Sequence, residues 1–83
     1  MTWNQIIAEE NPLALKADGF DDAIVGIARR CGQPSLVAYS INKCIQILMQ
    51  SMSEEDACEY FEFNVVGAWV GENTPVFIED RND

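Results

Sequence analysis

The segment Ser53 to Val70 (SEEDACEYFEFNVVGAWV) constrains the fold more than any other part of the chain, because its character changes along its length. It starts as an acidic amphipathic helix. Ser53 is a favoured N-cap, and Glu54, Glu55 and Asp56 fill the first turn, where the positive end of the helix dipole stabilises carboxylates. At about 100° per residue, Ala57, Phe61, Asn64, Val65 and Ala68 share one face, flanked by Tyr60 and Trp69. The opposite side reads Glu55, Glu59 and Glu62, then turns to Phe63, Val66 and Val70. A helix buried on one side only has no use for that second apolar patch. The pattern therefore predicts a helix whose last turns meet a second layer, a partner chain or a target.

Eighty-three residues suit one domain, 1–83. A chain this short buries about 60–65% of its unfolded surface, so its core is small and oligomerisation would add to it. A hydrophobic content of 48% argues against disorder. Fourteen acidic residues against five basic ones give a net charge of −9. That balance disfavours direct binding to nucleic acid or to an anionic membrane, both of which require neutralising Lys and Arg, and it favours basic protein partners. The chain has no histidine, which removes the commonest general base and the commonest metal ligand together. No metal site and no cofactor are expected. Cys31, Cys44 and Cys58 are odd in number, widely spaced and without a CxxC pair, so they read as reduced thiols of a cytoplasmic protein. No basic region followed by an apolar run marks a signal peptide, and no apolar segment approaches the ~20 residues of a membrane span.

Along the chain, Thr2-Trp3-Asn4-Gln5 has the form of a capping box, followed by Trp3, Ile6 and Ile7 on one helical face. Asn11-Pro12 stops that helix and starts a short second one over Leu13 to Ala17, ending at Asp18-Gly19. Residues 1–19 thus form an N-terminal helical segment, 20–78 the core and 79–83 a frayed tail. Ala23 to Arg30 and Leu36 to Ser40 are apolar runs around the turn-forming Cys31-Gly32-Gln33-Pro34, which predicts a β-hairpin with a bulge or a close helix approach at Gly26. A helix from Asp21 to Arg30 is the rival reading, with acids in its first turn and arginines in its last. Ser40 caps a helix in which Ile41, Cys44, Ile45, Leu48, Met49 and Met52 repeat at three and four residues. A break at Ser51 to Ser53 makes it the first half of an αα-hairpin. Gly71 ends the acidic helix, Glu72 to Pro75 form a turn, and Val76-Phe77-Ile78 is a short strand. The expected architecture is α+β: a three-stranded antiparallel sheet, made of the hairpin plus the C-terminal strand, packed by the αα-hairpin. In that arrangement Phe63, Val66 and Val70 face the sheet, while the Phe61 side meets the other helix.

The blocks DGFDDAIVG (18–26), KCIQILM (43–49), YFEFNVVGAW (60–69) and TPVF (74–77) resemble, in that order, short acidic proteins encoded by tailed bacteriophages and prophages. The resemblance covers roughly residues 11 to 78. It implies action inside an infected bacterium and supplies no catalytic residues.

Four groups of residues stand out as candidate sites. Glu55, Glu59 and Glu62, with Asp56 and Glu54 beside them, are spaced by about 5–6 Å along a helix, near enough to a phosphate repeat to imitate nucleic acid; the plain alternative is a solvated face. Asp18, Asp21 and Asp22 lack the ligand alternation of a calcium loop and read as turn and helix-end charges. Arg29 and Arg30 beside Cys31 would hold an anion or favour a reactive thiolate, yet no histidine is at hand as base, and an ion pair with this acidic chain is the default. Asn64 sits among apolar positions, where it would satisfy a backbone group; Gly67 would admit another element; Trp3, Phe63, Trp69, Cys44 and Cys58 read as core.

These readings favour a non-enzymatic phage protein that binds and inhibits or modulates a bacterial host protein in the host cytoplasm. An anti-defence, anti-CRISPR type of inhibitor working through Glu55, Glu59, Glu62 and Asp56 is the most concrete form. The alternatives are a homodimeric assembly factor using Phe63, Val66 and Val70, and a small-ligand binder centred on Arg29 and Arg30.

Overall fold

The structure is a computed structural model, and it describes residues 2–17, 19–67 and 71–79. Helix α1 (Trp3–Glu10) starts at the capping box. The Gln5 N–H donates to Thr2 Oγ1 at 3.2 Å and the Thr2 N–H donates to Gln5 Oε1 at 2.9 Å, which satisfies two end donors reciprocally.

Asn11 closes α1 instead of opening a second helix. Its N–H donates to Ile7 O (2.8 Å), its Nδ2 donates to Ser35 O (2.8 Å) and Asn73 Oδ1 (3.0 Å), and its Oδ1 accepts from the Leu13 N–H (3.1 Å). The helix expected over Leu13 to Ala17 does not form. Two of its backbone donors go to distant acceptors: the Leu15 N–H to Asn73 O (3.1 Å) and the Ala17 N–H to Tyr39 Oη (2.9 Å). Tertiary hydrogen bonds here override a weak local propensity.

A single 3-10 turn (Asp21–Ala23) is all that remains of the rival helix, and it leads into β1 (Ile24–Ala28). β1 pairs antiparallel with β2 (Leu36–Ser40), and the connecting loop turns at Gly32, whose φ of +75° few other residues adopt. The register passes from Ile24↔Tyr39 to Gly26↔Ala38, so Val25 is the extra residue of a bulge. That residue has a purpose. It puts Ile24 and Ile27, three apart in sequence, on the same face of the sheet, opposite Tyr39 and Val37, and all four pack in the core.

Ser40 ends β2 and caps α2 (Ile41–Leu48), its Oγ accepting from the Lys43 N–H at 3.2 Å. Cys44 is fully buried, and Ile41, Ile45 and Leu48 pack beside it. Helix α3 (Glu54–Phe61) follows and packs on α2.

The acidic helix does not continue as one α-helix. After Phe61 it widens into a π turn over Glu62–Val66, closed by the Gly67 N–H donating to Glu62 O at 3.1 Å. In a wider turn each residue advances less around the axis, yet Val65 still packs on the core on the Phe61 side. Ala57 and Phe61 are buried as expected, but Asn64 is exposed, and Phe63 and Val66 are turned to the outside at 76% and 42% exposure. The sheet is met by Phe61 instead: its ring stands edge-on to Phe77 with centroids 5.4 Å apart. A Cβ on Gly67 would lie 3.1 Å from Phe63 O and 3.2 Å from Glu62 O, so this glycine admits the helix's own preceding turn, not another element. Trp69 and Val70 lie outside the described residues.

β3 (Val76–Ile78) pairs with β2 in parallel, Ala38↔Val76 to Ser40↔Ile78, so the sheet is mixed and not antiparallel throughout. Strand order is β1-β2-β3. Asn11 is bonded both to Ser35, just before β2, and to Asn73, three residues before β3, so the starts of the two parallel strands lie at the same end. The class is α+β, with Ile24, Ile27, Val37, Tyr39 and Phe77 turned toward the helices.

Candidate functional site

Helix α3 is anchored at its start by Ser53, whose Oγ accepts from the Asp56 N–H at 3.2 Å. Ala57 and Phe61 hold one side in the core, so the other side of the helix carries Glu55, Glu59 and Glu62 into solvent. None of these carboxylates, nor Asp56, forms an ion pair among the described residues. Asp56, Glu59, Tyr60, Phe63 and Asn64 border a shallow hollow of about 290 Å³. Carboxylates and exposed aromatic rings therefore share one surface. Helical spacing produces this arrangement, because Phe63 lies four residues after Glu59 and about 200° around the axis from the buried Phe61. Asn64 Nδ2 donates to Tyr60 O at 3.2 Å, so it does serve a backbone carbonyl, though from the surface and not from the core.

Tyr60 and Asn64 also line a larger groove of about 540 Å³ on the other side, where Leu15, Phe20, Val65 and Phe77 supply apolar walls and Lys16 a charge. Lys16 Nζ donates to Asn4 Oδ1 at 3.0 Å. This groove is missed by sequence reasoning, since the 13–17 segment reaches it only through bonds to Tyr39 and Asn73. The neighbourhood of Asp56, Tyr60, Phe63 and Asn64 is readable, because those residues are three and four apart on a helix.

The arginines divide. Arg29 is engaged by Glu10: its Nε donates to Glu10 Oε1 at 2.7 Å, its Nη2 donates to Glu10 Oε2, and Ser35 Oγ donates to Glu10 Oε1 at 3.1 Å. The Arg29 hydrogen bond, chiefly, holds the Glu10 carboxyl below its usual range, and Glu10 in turn raises Arg29. Arg30 is exposed and makes no ion pair among the described residues. Both arginines line a hollow of about 340 Å³ together with Glu72, a carboxylate that opposes an anion there. Cys31 is exposed at the hairpin tip. Cys58 is exposed as well, not a core residue, whereas Cys44 is buried and desolvation pushes its thiol up to about 11. Trp3, expected in the core, is 45% exposed. Asp21 and Asp22 sit exposed in the 3-10 turn; Asp18 lies outside the described residues.

Among the described residues no cluster of three or more Cys, Asp or Glu is placed to hold a metal, and no helix is long and apolar enough to cross a membrane. No protein family matches the chain, and neither the curated proteins nor the solved structures compared with it give a match.

Proposed function

We propose that this chain is a non-enzymatic interaction protein that docks on a basic surface of another protein through the outer face of α3. The observation that carries the reading is the exposure of Glu55, Glu59 and Glu62 beside Phe63, which is 76% exposed. None of these side chains packs in the core or forms an ion pair among the described residues, and an exposed aromatic ring beside carboxylates is the composition of a surface suited to a basic partner. The net charge of −9 adds long-range attraction for a basic partner. The resemblance to phage-encoded proteins is the ground for seeking that partner in a bacterial host, in its cytoplasm, among proteins that carry basic nucleic-acid channels. Inhibition of a defence nuclease by occupying such a channel is the specific form of the proposal.

The test is capture of host proteins from infected cells with tagged chain and with a variant carrying Glu55→Lys, Glu59→Lys and Glu62→Lys. The variant should fold, by far-UV circular dichroism, and lose the partner. A control with Glu9→Lys, Asp21→Lys and Asp22→Lys makes the same change in net charge on exposed positions elsewhere and should retain it. Equal binding by both variants would sink the proposal.

The exposure of Phe63 and Val66 favours a second reading, a homodimer closed over that edge. Sedimentation equilibrium decides it: a dimer dispersed by Phe63→Glu, with no host protein bound, would replace the first reading.

A further inference from the structure

The hollow beside Phe63 and the groove behind Tyr60 form one continuous surface, because Tyr60 and Asn64 line both. At its outer end stand Asp56 and Glu59 with the exposed rings of Tyr60 and Phe63. At its inner end lie Phe20, Val65 and Phe77, with Lys16 at the margin. The groove, at about 540 Å³, lies within the range of roughly 300–1,000 Å³ that binding pockets occupy. From Asp56 to Asn64 the helix and its π turn span roughly 12 Å, the reach of about four extended residues.

We infer that this surface binds a short segment of the partner protein in which an apolar side chain and an Arg or Lys lie within a few residues of each other. The inference rests on the acidic-face reading above and adds what the partner brings. The apolar side chain seats against Phe20, Val65 and Phe77. The cation reaches Asp56 and Glu59, where the faces of Tyr60 and Phe63 also attract it. The carboxylates at the outer end and the apolar walls at the inner end fix the direction of the segment. A compact neutral ligand would use the groove alone and leave the charged end without a role.

An array of short peptides tests this, each with one Leu, Phe or Met, and with an Arg pair placed one to five residues away. The best peptide should bind at least tenfold more tightly than its counterparts with Ala for the apolar residue or Glu for the arginines. Its backbone amide shifts should centre on Tyr60, Asn64 and Phe77. Asn64→Trp, which fills the shared rim at an exposed position, should weaken it tenfold, while the same change at exposed Gln46 on α2, outside both hollows, stays within twofold. Binding that ignores the apolar residue and Asn64→Trp overturns the groove and leaves the acidic face standing. Binding that ignores the arginines overturns the inference and counts against the acidic face as well. If no peptide binds, the inference is overturned; the acidic face then stands or falls on the host-protein capture.

Discussion

The Phe61 ring meets the Phe77 ring edge-on at 5.4 Å and 89°, and that contact is what ties the acidic helix to the parallel strand. Phe77 also stacks on Tyr39 at 5.5 Å, so one strand residue joins α3 to the centre of the sheet. Phe61 and Tyr39 are both fully buried.

Edge-on aromatic pairs contribute about 0.5–1.5 kcal/mol beyond the area they bury. A double-mutant cycle with Phe61→Leu and Phe77→Leu, read by urea denaturation, should return a coupling of that size. Phe61→Ala, which opens a cavity at a fully buried site, should cost about 3–5 kcal/mol. Strict additivity of the two leucine changes would show that the ring geometry contributes nothing of its own.

Stability should fall in acid partly through Glu10. Its carboxyl is held below the ordinary value by Arg29, so it is ionised more readily in the folded chain than in the unfolded one. Such a group stabilises the fold at pH values above its unfolded pKa, and that contribution is lost as the pH falls through the folded value. Denaturation at neutral pH and near pH 3 should therefore show a smaller drop for Glu10→Gln than for the parent chain. The difference should shrink in high salt, because the pair is on the surface. An unchanged drop in Glu10→Gln would remove Glu10 from the account.

The three thiols should separate by reactivity. In native buffer a disulfide reagent should modify Cys31 and Cys58 promptly, and Cys44 only at the rate of unfolding. Cys44 also has a pH signature, since burial raises its folded value from 9.0 to about 11. Its contribution to stability is complete below the unfolded value and is lost as the pH rises from about 9 toward 11. Rapid labelling of Cys44 in the folded chain would contradict its place in the core.

Much of the local structure was legible because its causes are local. Thr2, Ser40 and Ser53 cap helices in the order their spacing predicts, and Gly32 turns the hairpin whose strands alternate around it. The bulge at Gly26 could be suspected from a glycine in a strand, though only the register shows that it brings Ile24 and Ile27 to one face. The readable part of the candidate surface is the run from Glu55 to Glu62, because helical spacing alone sets those neighbours.

The amino-acid sequence by itself determined the α+β class, the helix caps, the hairpin and the acidic first half of α3, since each depends on residues a few positions apart. The tertiary structure decided three things that depend on distant partners. β3 runs parallel to β2, with Asn11 bonded to both Ser35 and Asn73 ahead of the two strands. Tyr39 and Asn73 take the Ala17 and Leu15 donors of the 13–17 segment, which lines a groove instead of forming a helix. The seating of Phe61 on Phe77 decides which side of the helix faces the core, and so leaves Phe63 and Val66 outside instead of against the sheet. Helical spacing puts Phe63 beside Glu59, and only the packing of Phe61 decides that both stay on the surface.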